Sequence, residues 1–175
     1  MSDFQNPYDY SGNNFFYNFF GEIEMNNKIT KTLTAGVVAT IAMTIVMFMA
    51  PLMGLPKMNA AEMLSMTMGF PIIVGWIMHF MIGIIFALGY TFIISKLLFK
   101  ISNKILNGAI YGMIVFVFAQ IAMAMMGLIF TMPKMSGNMV LMMLGSVIGH
   151  VVFGIAVSVI LKSKLEVQNS ILVKS

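Results

Sequence analysis

His79 and His150 stand inside long apolar runs of the chain. A polar side chain is costly there and is a candidate for function by default. An imidazole in such a place has three uses. It can hydrogen-bond a carbonyl or hydroxyl and help helices dock. It can be an axial ligand of haem iron, and two histidines on facing helices would hold a haem b. It can bind copper, which imidazole suits and which thioethers select as Cu(I). The 21 methionines raise the third use. Seven fall in residues 47–68 and eight in residues 123–143. A copper reading makes Met58, Met63, Met66 and Met68 the outer mouth of a site above His79 and His150. Against haem, the chain has no arginine to pair the propionates. Against copper, methionine is an adaptable filler of irregular gaps, although filling gaps does not explain its lopsided placement.

Other chemistries lack their residues. With no cysteine, disulfides, thiolate zinc and thiol catalysis are excluded. The apolar runs hold no carboxylate pair, no H-E-x-x-H, no G-x-S-x-G elbow and no phosphate loop. A transport pathway would have only Gln120, the histidines and a few hydroxyls (Thr40, Thr44, Ser146, Ser158) to work with. The expectation is therefore a protein without enzymatic activity, with no catalytic residue to name.

The elements that position the histidines follow from composition. Of 175 residues, 59% are hydrophobic and 9% charged, with a mean hydropathy of +0.93. Soluble domains average about 25% charge. This chain cannot cover a globular surface in water, which excludes a soluble domain, a disordered chain and a nucleic-acid binder. A helix needs about 20 apolar residues to cross the hydrocarbon core. Four stretches qualify, at about 33–53, 72–95, 105–132 and 139–161. They do not alternate as barrel strands would. Before the first span stand Lys28 and Lys31. Lys96, Lys100 and Lys104 separate the second and third, and Lys162, Lys164 and Lys174 follow the fourth. Four spans put all eight on one side, leaving Lys57 and Lys134 on the other. By the positive-inside rule both termini are then cytoplasmic.

The chain divides into an aromatic N-terminal segment (1–31), a transmembrane domain (32–162) and a tail (163–175). Residues 1–24 are acidic and lack the compact apolar region of a signal peptide. Phe15, Phe16, Phe19, Phe20 and Ile23 share one helical face, which suggests a short helix in the cytoplasmic interface. The alternatives are an unstructured tail or a natural start at Met25. Between the first two spans, Asn59-Ala60-Ala61-Glu62 has the spacing of a capping box and predicts a short outer helix through Met68. A tight turn around Gly137 is expected between the last two.

The chain also reads as duplicated. Met53-Gly54-Leu55 before Pro56-Lys57-Met58 recurs as Met126-Gly127-Leu128 before Pro133-Lys134-Met135. Gly75, His79, Gly83 and Ala87 are spaced by four, and so are Ser146, His150, Gly154 and Ser158. Such spacing puts each set on one helix face, and small residues there let membrane helices approach closely. The third span adds Gly108, Gly112 and Gln120. The fold expected is an all-α membrane protein, a four-helix bundle of two parallel helical-hairpin repeats related by an axis along the membrane normal. Within it, His79 and His150 would share a depth roughly 10 to 17 Å below the outer boundary.

The runs Met49-Ala50-Pro51-Leu52-Met53-Gly54-Leu55-Pro56-Lys57-Met58, Gly75-Trp76-Ile77-Met78-His79-Phe80-Met81-Ile82-Gly83 and Leu144-Gly145-Ser146-Val147-Ile148-Gly149-His150-Val151-Val152-Phe153-Gly154 resemble a family of small bacterial four-helix membrane proteins classed as a domain of unknown function. The likeness covers roughly residues 30 to 162. It implies the four-span fold and a bacterial inner membrane, and no activity. The partners expected are the bilayer and either another membrane protein or a second copy of the chain, the protein then being a subunit of a larger complex.

Overall fold

The structure, a computed structural model, describes the backbone of residues 11–98, 100–130 and 137–172, and the side chains of residues 27–98, 100–130 and 137–161. Among the described residues the fold is entirely helical. Helix α1 runs Ser11–Met49. A 3-10 turn, Ala50–Met53, ends it at Pro51, and Gly54 closes that turn in the left-handed region at φ 78. Helix α2 is the short helix Ala60–Met68; the end of the bundle that carries it is termed outer and the opposite end inner. Helix α3 covers Ile72–Leu97, α4 covers Lys104–Ile129, and α5 covers Met139–Leu172. The segment with Phe15 to Ile23 is helical and continuous with the first span. The disposition of its side chains, most of the second outer loop (131–136) and the tail side chains lie outside the described residues.

Local chemistry explains the ends. Asn59 accepts a bond from the Glu62 amide at 3.2 Å and so caps α2. Gly69 ends the same helix at φ 71, a conformation that suits glycine. Asn103 accepts from the Ile105 and Leu106 amides at 2.9 and 3.2 Å and starts α4. Asn138 accepts from the Val140 amide at 2.9 Å and starts α5.

Four helices are long and apolar enough to cross a membrane: Asn27–Met53, Ile72–Leu97, Lys104–Ile129 and Met139–Leu161. The shortest has 23 residues, about 35 Å at 1.5 Å per residue, against a core of about 30 Å. Large apolar side chains such as Ile45, Ile73, Ile85, Phe118 and Ile121 point outward, whereas Ala35, Ala39, Thr40, Asn107 and Ser158 are buried. Hydrocarbon solvates such a surface; water does not.

Small residues set the helix spacing. A methyl group at Gly36 would lie 2.9 Å from the Ile84 Cα. One at Gly83 would overlap the Thr40 hydroxyl, and one at Gly154 the backbone of Gly108 and Gly112. Helices α4 and α5 make the most extensive contact, followed by α1 with α5 and α1 with α3. Helix α2 lies on the outer end of α3, where Gly75 faces the Ala61 carbonyl. Thr40 and Thr44 donate to the carbonyls four residues back, of Gly36 and Thr40, at 2.7 and 2.8 Å. No buried side-chain nitrogen or oxygen among the described residues lacks a partner.

Candidate functional site

The bundle interior holds two polar layers. The outer one is built around His79. Its Nε2 lies 3.3 Å from the Thr44 hydroxyl. Thr44 spends its only proton on the Thr40 carbonyl, so Nε2–H donates to Thr44 and the Nδ1 of His79 keeps its lone pair. Beside the ring is a cavity of ≈ 10 Å³ lined by Met43, Thr44, Met47, Phe48, Met58, Asn59, Ala60, Trp76 and His79. Met43 and Met47 come from one face of α1, one turn apart. Met58 and Asn59 come from the segment that leads into α2, so the outer loop covers the cavity. Glycines of α5 seat two of the thioethers: a Cβ at Gly149 would lie 2.8 Å from the Met47 sulfur, and one at Gly145 would overlap the Met58 methyl.

His150 makes its own contacts. Its Nδ1 lies 2.7 Å from the Ser146 carbonyl. A carbonyl only accepts, so Nδ1 carries the proton. Its ring stands edge-on to Phe116 at 5.8 Å between centroids. His150 does not line the cavity beside His79.

The metal readings of the sequence fare unevenly against this geometry. Of Met58, Met63, Met66 and Met68, only Met58 reaches the cavity with His79. Met66 is 60% exposed, and Met63 and Met68 are half-buried on α2. Gly83 and Gly154, one turn from the histidines, leave no space for a flat macrocycle, because Thr40 and the backbone of α4 fill it. A haem between the histidines therefore does not fit this packing. Copper held by the histidine pair is not favoured either. No group of three or more histidine, cysteine or carboxylate side chains gathers among the described residues.

The inner layer was missed by the sequence reading, which singled out only Ser158 from it. Tyr90 donates to the Asn107 Oδ1 at 2.8 Å and lies 3.1 Å from the Ser158 hydroxyl. Asn107 donates to the Leu98 carbonyl at 2.9 Å. Tyr111 donates to the Phe86 carbonyl, and its ring lies 4.8 Å from that of Tyr90. Thr32 and Thr91 pair at 2.9 Å. A π-helical turn, Tyr90–Ile94, carries Tyr90 and Thr91 into this layer. Tyr90 and Thr91 both face inward there, at 1% and 7% exposure. Such turns within α-helices often mark functional positions.

Both layers lie within one stretch of recognisable sequence. A model of a family described as "Family of unknown function (DUF6789)" matches residues 26–170. The chain belongs to this family. The match contains all four spans and both interior layers and leaves out the aromatic start of α1. It agrees with the resemblance carried by the glycine–histidine stretches, and it brings no activity with it. No curated protein and no solved structure matches the chain.

Proposed function

We propose that the protein is a multi-pass component of a bacterial inner membrane, with both termini in the cytoplasm. It has no enzymatic activity of its own and serves as a packed helical subunit of a larger assembly. The observation that carries this reading is the contrast between a closed interior and a broad apolar exterior. The buried polar side chains are spent on one another and on carbonyls. The small residues are spent on helix contacts, and the cavity beside His79 has room for about one water.

Orientation rests on the lysines. Lys28 lies over the Phe92 ring at 5.2 Å, so the lysines that precede the first span share an end with those between α3 and α4. An excess of lysine at one end marks the cytoplasmic side. We also read the hairpins α1–α3 and α4–α5 as parallel repeats. Gly83 on α3 and Gly154 on α5, each one turn beyond a histidine, both serve close contacts with the preceding span.

The test is native mass measurement on the full chain extracted in its own lipids. The expected result is a defined assembly heavier than the 19.3 kDa monomer, containing either a reproducible partner or a fixed number of copies. A monodisperse monomer would overturn the subunit reading.

A further inference from the structure

The cavity beside His79 poses a chemical question that the subunit reading leaves unanswered. Its volume, ≈ 10 Å³, is too small for an organic ligand and close to the minimum for a single water. A buried water needs two to four polar partners. Here the side-chain oxygen acceptors are already engaged. Thr44 donates to Thr40 and accepts from His79, and the Asn59 Oδ1 caps α2 through the Glu62 amide. Beside the N–H groups of Asn59 and Trp76, which only donate, the lone pairs that remain belong to the thioethers of Met43, Met47 and Met58, one from the outer loop and two from α1, and to the imidazole of His79. Thioether sulfur is a weak acceptor toward water but a soft ligand that selects Cu(I), and imidazole complements it.

We propose that Met43, Met47, Met58 and His79 form a binding site for one soft monovalent metal ion of the Cu(I) class. All four ligands are neutral, so no deprotonation is required. Gly145 and Gly149 give Met58 and Met47 their seats on α5, which reduces the ordering that binding demands. Thr44 holds the His79 ring through the nitrogen that carries its proton, the usual arrangement behind a ligating histidine. The covering segment at Met58 to Ala60 is the side from which an ion enters. This site uses one histidine and two α1 methionines, and it differs from the histidine pair and the α2 methionines that the sequence suggested.

The experiment titrates detergent-purified full-length protein with Ag(I), a redox-inert probe, and with Cu(I) in competition against a chromogenic chelator. Trp76 is the one tryptophan and lines the cavity, so its fluorescence reports local occupancy. One equivalent should bind, change Trp76 emission and show mixed sulfur and nitrogen ligation by X-ray absorption. Met47→Leu and Met58→Leu keep the volume and should fold. Each should weaken binding by about tenfold or more, and Thr44→Val by about tenfold, the low end for a residue behind a ligand. Met66→Leu should bind as the parent does. No stoichiometric binding against the chelator, or binding unchanged in both Met47→Leu and Met58→Leu, would overturn the site and leave the methionines as packing only.

Discussion

The two ends of the bundle are closed by opposite chemistry. At the inner end, Tyr90, Asn107 and Ser158 interlock by hydrogen bonds of fixed direction, and Tyr111 beside them donates to the Phe86 carbonyl. At the outer end, methionines lie on glycines of α5 around a half-buried histidine. Directional bonds between rigid side chains define one arrangement. Thioethers with three rotatable bonds accept several. The same helices therefore carry a lock at one end and an adaptable seal at the other. The comparison suggests that specificity of folding resides inside and that any ligand chemistry resides outside.

Substitutions can sharpen or break that contrast, each measured as unfolding free energy in one fixed detergent. The largest loss is expected at the contact both ends depend on. Gly154→Leu would force α4 and α5 apart and should cost about 3 kcal/mol, the upper part of the usual range for overpacking. At the inner end, Asn107→Ala removes the hub of the network and should cost about 2 kcal/mol, because the Tyr90 and Ser158 hydroxyls lose the acceptor they share and the Leu98 carbonyl loses its donor. Tyr90→Phe leaves the ring pair with Tyr111 in place and should cost about 1 kcal/mol, in keeping with hydrogen bonds between membrane helices. Met47→Leu at the outer end should cost less than about 1 kcal/mol, since volume-conserving swaps are tolerated. If it matched Asn107→Ala, the seal would be as rigid as the lock and the comparison would fail.

Much of the fold was legible because lipid imposes length and composition so strictly. Runs of about twenty apolar residues gave the four helices, and the four-residue spacing of small residues marked the faces that meet. The Asn59-to-Glu62 spacing marked the start of α2, and the structure has the cap there. The inner layer was not legible. Tyr90 and Thr91 lie in a π-helical turn, which shifts the helical register there, and hydrophobic periodicity does not announce such a shift. Asn107 lies near the start of its helix, where a polar residue reads as an interface contact, and its partners are 17 and 51 residues away in sequence. The outer site was half legible. His79 announced itself by its apolar surroundings, and methionine abundance pointed to thioethers. Which methionines reach the ring depends on the rotation of α1 about its axis, and composition does not encode that. The sequence consequently pointed to Met63, Met66 and Met68, whereas Met43 and Met47 line the cavity.

The contrast between the ends also assumes which end faces the cytoplasm. The chain has no cysteine, so single cysteines can be placed at will. The most direct test labels Lys57→Cys and Lys100→Cys in intact cells with a membrane-impermeant maleimide. Both positions are exposed, and they belong to the outer loop and the α3–α4 connection. The account predicts that Lys57→Cys reacts from outside, while Lys100→Cys reacts only once the inner membrane is opened. The reverse pattern, or equal reactivity at both positions, would contradict it.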